Sequence, residues 1–181
     1  MRVNGKRFWG LSSEELQKWP NGPIFLSTWT RDVVTTSYPR IELVVKSLGG
    51  HKVLRETVNT VADLDKAVLK GLPYRSLRHF SATYPESQRS AVEDLVVPRT
   101  TRRRREQSGH LSAEESERLE RVARVTALAE QVFESNDTAR QFLTTPHAVL
   151  DGAEPLGVAR TDLGARRVES VLWALEYSLP V

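Results

Sequence analysis

Several features of secreted and membrane proteins are missing from this chain of 181 residues. There is no cysteine, which excludes disulfides and thiolate metal sites and favours a reducing compartment. The N-terminal residues, Met1 to Lys6, lead into no apolar segment of the kind found in signal peptides. No hydrophobic run approaches the roughly 20 residues needed to span a membrane. Together these absences predict a cytoplasmic protein.

Catalytic and metal-binding signatures are also missing. The sequence has no Walker A loop, dinucleotide fingerprint, His-Glu-x-x-His motif or nucleophile elbow. Its four histidines, at positions 51, 79, 110 and 147, lack the spacing of metal ligands. We therefore expect no enzyme activity, no metal site and no cofactor.

The charges that are present divide the chain in two. Residues 1–110 contain 19 Lys and Arg against 11 Asp and Glu, whereas residues 111–181 contain 7 against 12. A basic half suits an anionic partner and an acidic half suits a different one. The alternative is that both are ordinary solvated surfaces. Because the sign changes next to a helix-start signal at Leu111-Ser112, we interpret the halves as two modules.

The densest positive charge lies in residues 98–107, which are predicted to form a short helix with Pro98 in its first turn. A helix of this composition, preceded by other short helices, is typical of the recognition helix of a helix-turn-helix. The predicted DNA-binding residues are Arg99, Thr100, Thr101, Arg102, Arg103, Arg104 and Arg105. The alternative is a solvated face, or a patch that meets acidic residues of a protein.

Helical periodicity predicts a mainly α fold after residue 38. The predicted helices cover residues 39–48, 61–70, 74–83, 86–96, 98–107, a long helix from 112, and then 138–143 and 162–177. The long helix opens with a capping box, and its apolar residues are predicted to form one face: Leu119, Val122, Ala123, Thr126, Ala129, Val132 and Phe133.

The two ends of the chain are harder to interpret. Residues 12–15 form a capping box that predicts a short helix, and residues 28–36 are β-prone. Trp9, Trp19 and Trp29 are either anchors that hold this extension on the body or an exposed protein-binding surface. The apolar C-terminal residues 179–181 either pack on their own domain or enter a pocket on a partner, with Trp173 and Tyr177 as neighbouring anchors.

Two ordered series of residues resemble the Xre/MbcA/ParS antitoxins. The first resembles their toxin-binding domain and consists of Leu111-Ser112-Ala113-Glu114-Glu115-Ser116-Glu117-Arg118-Leu119, Thr145-Pro146-His147, Gly152, Pro155-Leu156, Thr161, Gly164-Ala165 and Val168 to Tyr177. The second resembles their Xre-like helix-turn-helix and consists of Lys70-Gly71-Leu72-Pro73-Tyr74 and Pro98-Arg99-Thr100-Thr101 with Arg104-Arg105. The resemblance covers roughly residues 57–181.

The resemblance implies a mainly α protein with an Xre-like helix-turn-helix half joined to a small all-α toxin-binding domain. Its parts would be an N-terminal extension of unknown role (1–56), a DNA-binding and dimerisation region (57–110) and the toxin-binding domain (111–181). The implied toxin-binding residues are Pro146, Gly152, Glu169, Trp173, Glu176, Tyr177, Leu179, Pro180 and Val181.

The resemblance also implies a partner. Antitoxins of this kind bind a RES-domain toxin, which consumes NAD or uses it for ADP-ribosylation, and obstruct its active site. NAD is then the substrate of the toxin, and the antitoxin itself needs no cofactor. A homodimer within a toxin–antitoxin hetero-oligomer and binding to the promoter of the operon are implied as well.

Two residues depart from the family pattern. Val96 stands where related sequences place glycine in the turn, and Arg102 occupies an apolar position of the third helix. A β-branched residue at positive φ would be strained, and an arginine in a core stripe must be paired or reach solvent. Two alternatives therefore stay open: a stand-alone DNA-binding regulator whose C-terminal domain dimerises, and an antitoxin that does not bind DNA.

Overall fold

The computed structural model describes residues 2–3, 6–7 and 38–177. The chain divides into two compact units, Met1–Tyr38 and Pro39–Val181. In the first unit, strands β1 (Arg2–Val3) and β2 (Lys6–Arg7) pair in antiparallel register. The predicted helix at residues 12–15, the β-prone segment 28–36 and the tryptophans at 9, 19 and 29 lie outside the described residues.

The second unit is mainly α, as predicted, and its described part contains ten helices. In chain order these are α1 (Ile41–Ser47), α2 (Gly50–Leu54), α3 (Val61–Lys70), α4 (Tyr74–Ala82), α5 (Glu86–Val96), α6 (Arg99–Ser108), α7 (Ala113–Phe133), α8 (Asn136–Thr144), α9 (Pro155–Val158) and α10 (Asp162–Glu176). A 3₁₀ turn spans Ala148–Leu150. No helix of this part of the chain is long and apolar enough to cross a membrane.

Capping signals explain several helix bounds. At the start of α7 the Ser112 side chain accepts a hydrogen bond from the Glu115 N–H, and Glu115 in turn accepts one from the Ser112 N–H at 2.8 Å. The predicted bounds of α3 and α5 agree with the structure. The sequence did not predict α2, α9 or the 3₁₀ turn, because elements of three to five residues are too short to show a helical period.

Helix α7 is the centre of this unit, and five of the seven residues predicted to form its apolar face are buried: Leu119, Val122, Ala123, Thr126 and Ala129. It packs against α1, α3, α5, α8 and α10. All its residues from Val125 to Ala129 are buried, together with Val122 and Ala123. Val132 and Phe133, in contrast, are only half-buried. The middle of α7 is surrounded by other helices, so it also buries Val125, Ala127 and Leu128, which lie outside the predicted face.

The turn between α5 and α6 is formed without strain at Val96, so the predicted strain there is wrong. Val96 is the last residue of α5 and is buried, and Val97 has ordinary extended angles, φ −130° and ψ 119°. Among the described residues, only Arg55, Glu134 and Asp151 have positive φ without being glycine. The turn therefore reverses the chain through extended residues and Pro98 instead of through a left-handed glycine.

Candidate functional site

The arginine run lies on α6, and its central arginine points inward. Arg102 is only 15% exposed. Its guanidinium lies 3.1 Å from Glu93 and 2.5 Å from Asp94, both on α5. It also donates to the carbonyl oxygens of Ser90 (2.8 Å) and Val97 (3.2 Å). Arg102 occupies a position that is apolar in the family pattern, and it is paired there. The sequence predicted that it must either be paired or reach solvent.

Two more arginines of the run are held in ion pairs within the protein. Arg99 lies 3.3 Å from Asp94 and donates to the Ser90 hydroxyl. Arg105 lies 2.6 Å from Glu115 in the first turn of α7. Burial alone would raise the pKa of Glu115, but the Ser112 N–H and Arg105 outweigh it and lower the pKa below its usual value. These contacts tie α6 to both of its neighbours.

The remaining residues of the run form the outward face of α6. Thr100, Arg103 and Arg104 are exposed, and no ion pair involves the two arginines among residues 38–177. Thr101 is half-buried. Of the predicted DNA-binding residues, the structure therefore presents Thr100, Arg103 and Arg104 fully to solvent, with Arg99 partly committed to Asp94.

Sequence reasoning missed the carboxylate that receives these contacts. Glu93 is buried on α5 and accepts hydrogen bonds from Arg78 and from the Ser81 hydroxyl, both at 2.8 Å, in addition to its pairing with Arg102. A buried carboxylate is tolerated only when it is paired in this way. The pairing partners come from two other helices, α4 and α6, so no spacing in the sequence identifies them.

Three of the predicted toxin-binding residues, Trp173, Glu176 and Tyr177, lie at the C-terminal end of α10. Trp173 and Tyr177 lie one turn apart and stack, with ring centroids 5.9 Å apart and an interplanar angle of 17°. Trp173 is half-buried, and Tyr177 is 54% exposed. Leu175 and Glu176 are exposed beside them. This end of α10 forms an exposed aromatic surface that leads towards residues 178–181, which lie outside the described residues.

A loop is fastened to α10 through Arg167. Arg167 donates to Asp151 at 2.7 Å and to the carbonyl of Val149 at 2.9 Å. The hydrogen bond from Arg167 lowers the pKa of Asp151 below its usual value. Gly152, next in the loop, has φ +75°, a conformation that favours glycine. The predicted residues Pro146 and Gly152 are both exposed in this loop.

Glu169 lies one helical turn before Trp173 on α10. It is buried, and its carboxylate lies 2.7 Å from Arg124 of α7. Burial raises the pKa of Glu169 above its usual value. The structure therefore places this predicted residue between α10 and α7, where it connects the aromatic surface to the central helix.

Comparison with known proteins identifies two matched segments in this chain. Residues 63–124 match the Antitoxin Xre-like helix-turn-helix domain, and residues 128–177 match the Antitoxin Xre/MbcA/ParS C-terminal toxin-binding domain. The chain belongs to the Xre/MbcA/ParS antitoxin family. A curated relative, Antitoxin Xre of Pseudomonas putida, is 36% identical over 80 residues, which are 44% of this chain and 50% of the relative. The match thus spans half the length of that relative.

The family assignment confirms the resemblance read from the sequence. The arginine helix α6 lies in the helix-turn-helix match, and α8 to α10 lie in the toxin-binding match. Antitoxins of these families are regulators and inhibitors rather than enzymes, in agreement with the prediction for this Xre/MbcA/ParS member. The helix-turn-helix match ends inside α7, and the toxin-binding match begins inside the same helix. The domain boundaries predicted at 56/57 and 110/111 stay predictions.

Proposed function

We propose that this antitoxin neutralises a RES-domain toxin by placing its C-terminal region over the active site of the toxin. The observation that carries the proposal is the stacked pair of half-buried Trp173 and exposed Tyr177 at the end of α10, inside the segment matched to a toxin-binding domain. The apolar residues Leu179, Pro180 and Val181 follow directly in the sequence. Aromatic anchors of this kind contribute most of the binding energy in protein interfaces.

The other predicted residues act in supporting roles. The exposed loop residues Pro146 and Gly152, and Glu176 on α10, would lie at the rim of the interface. Glu169 holds α10 on α7 through Arg124, so that the aromatic pair is presented on a rigid helix. Binding from a rigid surface loses less conformational entropy than binding from a mobile one.

The test is co-expression with the protein encoded by the adjacent reading frame, followed by co-purification and an assay of NAD consumption. A Trp173→Ala/Tyr177→Ala variant and a variant lacking residues 178–181 should each weaken the complex by about 2 kcal/mol or more, roughly 30-fold. Leu69→Ala is the matched control, because Leu69 is 61% exposed on α3 and lies outside the matched toxin-binding segment. A neighbour without a RES domain and without a complex would refute the proposal.

We further propose that the antitoxin represses its own promoter as a homodimer, with the outward face of α6 on the DNA. Arg103 and Arg104 are exposed cations in the segment matched to a helix-turn-helix domain, which supports this role. Arg102 and Arg105 would hold the helix in position. Replacing Arg103 and Arg104 by glutamine should weaken promoter binding and reduce its salt dependence.

The homodimer is tested by sedimentation at micromolar concentration, with and without the toxin. If the chain binds its promoter but forms no complex with any neighbouring gene product, it is a stand-alone regulator instead. If it captures the toxin and leaves the promoter free, neutralisation stands without autoregulation.

A further inference from the structure

A second basic surface lies beside the arginine helix, in a groove between α2, α4 and the end of α6. Its lining includes Lys52 and Arg55 at the end of α2, Arg75 and Arg78 on α4, and His110 after α6. Glu106 is the one carboxylate that lines it. Lys52 and Arg55 precede both matched family segments, so the comparisons assign them no role.

Most cations that line this groove form no ion pair with a carboxylate of the described residues 38–177. Lys52, Arg55 and Arg75 are exposed, and none of them takes part in an ion pair within residues 38–177. Arg78 uses one nitrogen on Glu93, and its side chain is still 61% exposed. The arginine run shows the opposite situation, because three of its five guanidiniums are held by carboxylates.

The backbone at Arg55 is also unusual. Arg55 caps the end of α2 with φ 57° and ψ 17°, a left-handed conformation in which glycine is the favoured residue. The conformation directs the chain away from α2 at the edge of the groove. A long cation therefore occupies a position that would be less strained with glycine.

The groove is continuous with the outward face of α6. Arg103 and Glu106 are three residues apart on this helix, so their side chains are neighbours on its surface. Glu106 itself lines the groove. The cations of α2 and α4 thus extend the exposed positive surface that begins at Arg103.

We infer that this groove binds the phosphate backbone of DNA next to the site read by α6. Helix-turn-helix proteins need backbone contacts to set their position on the duplex, and these contacts come from cations beside the recognition helix. Since most of the arginine run is engaged internally, the groove supplies the larger share of these contacts. The inference rests on the DNA-binding role proposed above and names the residues that provide its electrostatic part.

The test is the salt dependence of DNA affinity, measured by fluorescence anisotropy with a labelled duplex of arbitrary sequence about 30 base pairs long. Each phosphate contact contributes about 0.9 to the slope of log affinity against log salt. An Arg55→Gln/Arg75→Gln variant should therefore lower the slope by about 1.8. Between 50 and 200 mM salt the wild type would then lose about 12-fold more affinity than the variant.

The control removes the same charge elsewhere. Lys66 on α3 and Arg160 before α10 are exposed and do not line the groove, so Lys66→Gln/Arg160→Gln should leave the slope unchanged. Glu106→Gln provides an independent arm, because removing a carboxylate from a phosphate site should raise DNA affinity by about threefold. This arm decides the question if the double arginine variant fails to fold.

The outcomes separate the groove from the proposed function. If the wild type binds DNA and the groove variant keeps its slope, the groove inference is refuted while DNA binding by α6 stands. If the wild type binds no DNA, both are refuted. If the groove variant loses only the toxin, or if Glu106→Gln fails to raise DNA affinity, the groove is not a phosphate site.

Discussion

The buried pair of Arg102 and Glu93 leads to a quantitative prediction about stability. Arg102 is 15% exposed and the Glu93 side chain 5%, so both groups have lost most of their hydration. Breaking such a pair by removing one partner costs about 3–5 kcal/mol when the other charge is left alone. Here neither charge would be left alone, because Glu93 keeps Arg78 and Ser81 while Arg102 keeps Asp94.

We therefore expect each single leucine substitution, Arg102→Leu or Glu93→Leu, to lower the free energy of unfolding by about 2 kcal/mol. The double variant should lie within about 1 kcal/mol of the wild type, because two packed leucines commonly replace a buried ion pair without loss. The coupling energy between the two positions is then about 3–4 kcal/mol.

The assay is urea unfolding followed by circular dichroism at one protein concentration, with the m-values compared between variants. Arg166→Leu is the control, since Arg166 and Asp162 form a pair at 2.9 Å with side chains 72% and 53% exposed. It should change stability by about 0.5 kcal/mol or less. The reasoning is refuted if Arg102→Leu is as stable as the wild type, or if the double variant loses the sum of the two single losses.

Three further predictions concern other parts of the molecule. Gly164→Ala should lower the free energy of unfolding by about 2 kcal/mol in the same urea assay, because a Cβ there would overlap the Val158 carbonyl. Gly157 has open space around it, so Gly157→Ala should be close to neutral, and equal effects of the two substitutions would contradict this reasoning. The pKa of Glu115 is lowered in the folded protein, so its contribution to stability is present above about pH 4.5 and is lost as the pH falls below that value. The thermal unfolding temperature of Glu115→Gln should therefore vary less with pH than that of the wild type between pH 5 and about 3. Arg167→Ala should cost about 0.5 kcal/mol in folding but weaken toxin binding several-fold in a titration, because it releases the loop at Asp151 from α10; unchanged binding would exclude the loop from the interface.

Much of the fold could be predicted because helix signals are local. The capping boxes at Thr60–Asp63 and Ser112–Glu115 each act within one helical turn, and Gly71 ends α3 at the next residue. Such signals are readable wherever the chain is placed in space. The family could likewise be recognised from an ordered series of residues, since the order of motifs does not depend on packing.

The roles of individual arginines could not be predicted in the same way. The run at residues 99–105 has uniform chemistry in the sequence, and nothing local distinguishes Arg102 from Arg103. Arg102 is turned inward because α5 brings Glu93 and Asp94 to its side of α6, and Arg105 because the first turn of α7 presents Glu115. The burial of Val125 to Ala129 on α7 has the same origin in neighbouring helices.

The sequence by itself therefore determined the mainly α class, most helix bounds, the charge division and membership of the antitoxin family. The tertiary structure alone decided which cations are available to a partner and which are held inside, and it showed the groove formed by Lys52, Arg55 and Arg75 beside α6. The physical reason is that capping and periodicity act over a few residues, whereas an ion pair requires two side chains from separate helices to approach within 4 Å.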